Sequence, residues 1–283
     1  MKDIHWFPGH MKKAKDEIKE KTKLVDVVIE ILDSRAPLST RNIELEEITS
    51  NKPRLILLSK KDLADPNIST KWSEYFKKEN HEVLLVDLNK NNTKEIEAKV
   101  NLLAKDKKEK EARKGIKHQP VRAMIIGIPN VGKSTLINKL SKSKRAGVEN
   151  KPGFTRAHQW IKVSDTFELL DTPGVLPKKY DDKEVSINLA LIGAINENIL
   201  PSEDLSIYLI KYLLENYNDV IKNRYHIGYS SEISEENALL ILNEIAKSRG
   251  YLSKGSVNIN QASKTLLNEF KNGILGQISL ERI

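Results

Sequence analysis

Cysteine is absent from all 283 residues, which excludes a disulfide framework and a thiolate metal site. Long apolar runs are absent too: none approaches the roughly 20 residues that a membrane helix needs. The opening stretch MKDIHWFPGH lacks the basic-then-apolar order of a secretion signal, and Asp3 stands where a mitochondrial presequence avoids acid. A soluble, cytoplasmic protein with no membrane partner is the expectation from these absences. What the chain has in surplus is base: 47 Lys and Arg against 39 Asp and Glu, a net charge of +8 and a pI near 9.3. That surplus fits a polyanionic partner and fits equally a surface of solvated lysines, so charge alone does not choose between them. The length has room for two ordinary domains and a real core.

Along the chain, residues 9–23 read as a basic helix and VDVVIEILD at 25–33 as a buried strand rich in β-branched residues. RLILLS at 54–59 is a second strand, residues 69–79 a helix opening on a Ser/Thr cap, and EVLLV at 82–86 a third strand. Strands alternating with helices predict a parallel sheet covered by helices. Residues 91–117 read as one long charged helix, whose KDKKEKEARK run at 105–114 is expected to be a solvated face rather than an RNA arm. A fourth strand over 121–128 runs into a Gly-containing loop and a helix over 133–141; a hairpin of HQWIKVS and TFELLD then ends at DTPG, residues 171–174. Beyond Pro177 the β signal disappears, and residues 182–198, 203–215, 234–248 and 260–272 read as helices. The expected division is an α/β domain over 1–177 and a helical domain over 178–283.

GIPNVGKS at 127–134 has the spacing of a phosphate-binding P-loop, preceded by a strand and followed by a helix as that motif requires. Its physical logic is a set of backbone N–H groups, from Asn130 through Val131, Gly132, Lys133, Ser134 and Thr135, curled around phosphate oxygens at a helix N-terminus. Lys133 would neutralise the outer phosphates and Ser134 would place its hydroxyl on Mg2+, which prefers oxygen ligands. Asp171 of DTPG, at the end of a second strand, is suited to hold the same ion through water, and the Gly174 N–H to touch a γ-phosphate. Thr155 in KPGFTR either closes over magnesium when a third phosphate is present or is an ordinary loop threonine. SKKD at 59–62 supplies the base contact: Asp62 can accept both N1–H and N2–H of guanine, a pattern adenine does not present, while the stem of Lys60 covers the ring. Ser59 stands where asparagine is usual, which predicts weaker base affinity, and VDLNKNN at 86–92 lacks the Ser-Ala pair expected of a second guanine-facing turn.

In most GTPases the guanine motif follows the P-loop, whereas here it precedes it. Each motif still ends a strand, so all can meet at one sheet edge, where ligands of open α/β sheets bind. The order therefore predicts a circularly permuted P-loop GTPase domain, with the segment after DTPG leading directly into the helical domain. An ATP-dependent kinase shares the P-loop but leaves SKKD unexplained.

WFPGHM at 6–11, LDSRAPLSTRN at 32–42, SKKDL, GIPNVGKSTLIN, PGFTR, DTPG and the closing FKNGILGQISLE at 270–281 stand in one order that resembles the bacterial ribosome biogenesis GTPase A family, also called YlqF, end to end. The resemblance implies a permuted G domain, an RNA-binding-like helical C-terminal domain and a GTP-to-GDP hydrolysis that is slow alone and stimulated by the ribosomal subunit. It also implies a role in late maturation of the large ribosomal subunit, and the expected cycle is binding of its precursor and rRNA as a monomer in the GTP form and release after hydrolysis. A nucleotide-gated RNA-binding scaffold whose hydrolysis is incidental is the alternative. Val175 and Leu176 follow Gly174 where many GTPases carry a water-orienting glutamine. The family suggests His10 for that role, against a plain helix-capping or packing histidine. Asn130 offers a side-chain oxygen that can hold K+ against the phosphates, a charge where other GTPases use an arginine finger.

Overall fold

The computed structural model describes residues 8–90, 92–116, 119–142, 160–172, 174–176, 182–195, 200–253 and 256–283, with the backbone alone for Pro8–Met11 and Lys142. The chain opens with α1 (Pro8–Thr22), β1 (Val27–Asp33), the short α2 (Pro37–Thr40) and α3 (Ile43–Ile48), and β2 (Arg54–Ser59). α4 (Pro66–Lys78), β3 (Glu82–Leu85), α5 (Thr93–Leu103), α6 (Lys105–Arg113), β4 (Val121–Ile126) and α7 (Lys133–Lys142) follow. β5 (Trp160–Lys162) and β6 (Phe167–Leu170) form the expected antiparallel hairpin.

These strands make a six-stranded sheet in the order β3-β2-β1-β4-β6-β5, parallel except for β5. The chain winds outward from β1 to β3 and then returns to place β4 on the other side of β1. The switch point therefore lies between β1 and β4, where an open parallel sheet leaves a crevice at its carboxyl edge. Every residue of β1 and β2 is buried because both faces are covered. Val27, Ile29 and Ile31 face the layer that holds Ile96 and Val100 of α5 and Leu136 of α7. On the opposite face, Val28 packs with Ile18 of α1 and Leu45 of α3, and Leu32 packs with Trp72 and Phe76 of α4. Glu30 divides that second face into two apolar clusters, buried and ion-paired with the neighbouring strand's Arg54.

Two local expectations differ from the structure. α4 begins earlier than its Ser/Thr run: Asp65 accepts from the Asn67 and Ile68 N–H groups and Pro66 occupies the first turn, where its missing N–H costs nothing. Ser69, in the run expected to cap it, is buried inside the helix, as is Ser73. The long charged helix is two helices broken at Ala104. α5 carries Ile96 and Val100 onto the sheet, whereas α6 buries none of its residues and is fastened instead by Lys107 Nζ, 2.7 Å from Asp26 Oδ2. The KDKKEKEARK run is a solvated face, as expected.

The remaining chain is helical: α8 (Lys183–Leu191), α9 (Ser202–Asn216), α10 (Val220–Tyr225), α11 (Glu235–Ser248) and α12 (Ile259–Lys271). Between the last two, β7 (Leu252–Ser253) and β8 (Ser256–Val257) form a small hairpin, strands too short to show an alternating pattern. α9, α11 and α12 pack on one another through Leu209, Leu213, Ile241, Leu242, Leu266 and Phe270, in a core continuous with that of the sheet's α5 and α7 face. After Gly276 the chain runs back over the carboxyl edge of the sheet, where Ile278 N–H donates to Leu63 O at 3.0 Å and Leu280 N–H to Arg35 O at 2.7 Å. No helix among the described residues is long and apolar enough to cross a membrane.

Candidate functional site: loops at the carboxyl edge of the sheet

The loop from Gly127 to Gly132 leaves β4 at the switch point and enters α7. Gly132 has φ +109°, and a Cβ there would collide with the Leu88 side chain, so the 86–92 turn closes against this loop. Lys133 is buried, and its ammonium donates to Gly127 O at 3.0 Å and Ile128 O at 2.6 Å. Burial pushes that ammonium down to about 8, with Asp171 pulling part of the way back. Ser134 and Thr135 sit exposed in the first turn of α7, and Val131 is buried beneath the loop.

The DTPG segment arrives beside it from β6. A Cβ on Gly174 would stand 2.8 Å from Lys133 Nζ and 3.2 Å from Pro129 N, so this backbone lies close against the lysine and the P-loop. Asp171 is exposed; its carbonyl accepts from Lys21 Nζ at 2.9 Å, which brings basic α1 to the site. Val175 and Leu176 both point into the core, and Val175 O accepts from Asn42 Nδ2 at 2.9 Å. The position that is a water-orienting glutamine elsewhere is a packing position here. An exposed hydroxyl on Ser134 and an exposed carboxylate on Asp171, facing a phosphate cradle, are the hard oxygen donors that Mg2+ takes.

The guanine-loop candidate leaves β2, one strand beyond β1. Ser59 is fully buried, its hydroxyl 2.9 Å from Leu32 O and 2.7 Å from Val131 O. With a single proton it serves one carbonyl at a time, where an asparagine amide would offer two donors. Lys60 has φ +56°, a conformation that a lysine holds only when its surroundings impose it. Those surroundings are Asn130 O, which accepts from Lys60 Nζ at 2.9 Å, and the Asp33 carboxylate, 2.9 Å from the same ammonium. Asp62 is exposed at the end of the turn. Asn130 is itself left-handed at φ +62°, and its Nδ2 donates to Gly193 O at 3.0 Å, which leaves Oδ1 without a donor among the described residues. Thr155 and the His10 side chain lie outside the described residues.

Asp33 was not among the expected site residues, and it joins them. Wholly buried at the carboxyl end of β1, it accepts from Arg35 Nε at 2.9 Å and Nη2 at 2.8 Å and pairs with Lys60. Burial alone would raise its carboxyl, but the charges of Arg35 and Lys60 outweigh it and hold the group below the usual carboxylate range. Arg35 reaches onward to Ile192 O and Lys271 O, both at 3.2 Å. An acid closing an apolar strand, with an arginine two places on, was the available sequence signal.

A family model described as 50S ribosome-binding GTPase matches residues 122–244, beginning at β4 and leaving SKKD upstream of the match. Ribosome biogenesis GTPase A of Bacillus cereus is 43% identical over 98% of this chain and 93% of that protein. The protein of the same name from Thermotoga maritima is 34% identical over 99% of this chain and 94% of its own length. Among solved structures, GNP-bound YlqF from T. maritima superposes with a TM-score of 0.60 at 28% identity, covering 95% of this chain and 98% of that one.

Proposed function

The chain belongs to the ribosome biogenesis GTPase A family, and on that premise we propose that its carboxyl-edge loops bind GTP and Mg2+ and drive a cycle on the large ribosomal subunit precursor. The protein is a GTPase, a GTP-dependent ribosome assembly factor. In the proposed cycle it binds the precursor and its rRNA as a cytoplasmic monomer in the GTP form and leaves after hydrolysis. Residues 1–177 carry the nucleotide and 178–283 carry most of the ribosome contact. The observation that supports this reading best is the meeting of three sequence-distant loops: Lys60 Nζ lies 2.9 Å from Asn130 O, and Gly174 lies against Lys133.

In this site Lys133 and the P-loop N–H groups hold the phosphates, Ser134 and Asp171 hold the metal with Thr155, and Asp62 reads the base. The bound Mg2+ supplies neutralisation of the β- and γ-phosphate charge. Asn130 Oδ1 is the proposed K+ ligand, and His10 the proposed group that orients the attacking water, because the buried Val175 and Leu176 do neither.

The test is co-sedimentation of the chain with large-subunit precursors in a non-hydrolysable GTP analogue and in GDP, across a salt series, with hydrolysis followed in K+ and in Na+. Tighter binding in the analogue, a steep fall with salt and faster turnover in K+ with precursor present are expected. Equal binding in both nucleotides overturns the cycle, and equal rates in the two salts remove K+.

A further inference from the structure

The guanine loop is gripped from two sides. Its inner side is tied to the P-loop through Ser59 and Lys60. Its outer side meets the last stretch of the chain. Ile278 N–H donates to Leu63 O at 3.0 Å, Gln277 Nε2 to Asp62 O at 3.3 Å, and Asp65 N–H to Ser279 Oγ at 3.1 Å. Gly273 lies so close that a Cβ would stand 2.7 Å from Leu63 Cδ2.

The helical part holds the same stretch from behind. Tyr212 donates its hydroxyl to Ser279 O at 2.6 Å, and Ser279 N–H donates to the Tyr217 hydroxyl at 3.1 Å. Leu280 N–H donates to Arg35 O at 2.7 Å, and the Arg35 guanidinium grips Asp33, the partner of Lys60. Residues 277–281 thus touch the loop directly and reach its left-handed Lys60 through Arg35 and Asp33.

We propose that residues 277–281 are a positioning element for base recognition, holding loop 59–63 in the conformation in which Asp62 meets guanine, so that the helical part sets nucleotide affinity through the base. This rests on the reading of Asp62 as the base contact. It differs from any effect carried by Gly174, whose N–H is the expected contact to the third phosphate. The base is common to GDP and GTP, so loosening the tail weakens both by one factor.

The experiment uses the full chain and measures affinities for GDP, a GTP analogue and inosine diphosphate, which lacks the guanine exocyclic amine. Ile278→Pro deletes the N–H that Leu63 accepts. It is expected to weaken GDP and the GTP analogue alike, by about tenfold, the scale of one good hydrogen bond, and to shrink the preference for GDP over inosine diphosphate. Tyr212→Phe, which frees the tail from behind without touching the loop, should do the same in smaller measure. Wild-type affinities in both variants, a loss confined to the GTP analogue, or equal losses for GDP and inosine diphosphate overturn the proposal. A measurement on the unmodified protein guards against variants that fail to fold: by linkage, GDP should slow hydrogen exchange at the Ile278 and Leu280 amides, and exchange indifferent to GDP overturns the proposal independently. Asp62→Asn separates the two readings. It should move preference from guanine to xanthine nucleotides; if it does not, base reading by Asp62 falls, and if it does while the tail variants bind normally, only the tail inference falls.

Discussion

Lys133 shows how far one side chain can tie affinity to pH. Its ammonium is enclosed by the P-loop carbonyls and pushed down to about 8 by burial. A phosphate beside it favours the charged form, so the bound-state value must be higher than the free one. Below pH 8 the lysine is charged in both states and contributes no pH dependence. Above pH 8 the free protein loses the proton that binding must restore, and GDP affinity should fall by up to about tenfold per pH unit until the bound-state value is passed. Calorimetry of GDP binding between pH 7 and 9.5, in two buffers of different ionisation heat, should report proton uptake that grows through pH 8. A flat affinity with no buffer dependence would remove the lysine from this role.

Within β1 the informative feature is the charge in the middle of an apolar strand. Glu30 is buried against Arg54 of β2, and Arg54 in turn donates to Thr49 Oγ1 at 2.8 Å and Glu46 O at 3.2 Å, so the pair fastens α3 to the sheet. Burial pushes the Glu30 carboxyl up, opposed by Arg54. Removing one partner leaves an uncompensated buried charge, and Arg54→Met should cost about 3–5 kcal/mol, whereas Glu30→Leu with Arg54→Met should cost far less. Urea unfolding of the single and double variants checks this. The single variant carries a sign test. Without Arg54 the folded-state Glu30 holds its proton more tightly than the unfolded one. Its stability should therefore be best below the unfolded value near pH 4.3 and be lost as pH rises through the folded value. A single variant as stable as wild type at pH 7 would show that the pair is not needed there.

At the scale of the whole molecule, the proposed boundary near residue 177 divides function more cleanly than it divides stability. The apolar core runs without a gap from the sheet face under α5 and α7 into α8, α9 and α12. Arg35, among the largest fully buried side chains, draws two of its acceptors, Ile192 O and Lys271 O, from beyond that boundary. The tail adds Glu281, whose carboxylate accepts from the Leu38 N–H at 2.6 Å and the Ser39 N–H at 2.7 Å, and whose carbonyl accepts from Trp72 Nε1 at 3.1 Å. Urea unfolding of the full chain should therefore be one transition, coincident by helix circular dichroism and by tryptophan fluorescence. Two separated transitions would show that the helical part unfolds independently and that the tail is a loose attachment.

The sequence by itself determined what lies within a few residues of its own cause. The GxxxxGKS spacing, the apolar runs of β1, β2 and β4, the DTPG at a strand end and the missing glutamine after Gly174 are local patterns, and local patterns survive as text. Motif order carried the permutation, because each motif closes a strand and the strand order β3-β2-β1-β4-β6-β5 brings those closings to one edge. Tertiary structure decided the rest. Nothing near Asp33 announces that it pairs with Lys60, since the partner is set by β1 and β2 lying level, with Asp33 opposite Ser59. Ala104 breaks a helix that propensity would continue, at the point where the buried face of α5 gives way to α6, which buries none of its residues and is tied to Asp26 through Lys107. Arg35 and its acceptor on Lys271 are separated by 236 residues, and Gln277 and Asp62 by 215. Such contacts have no period and no spacing, because they are made by the return of the chain over the sheet edge, which only the packed helices direct.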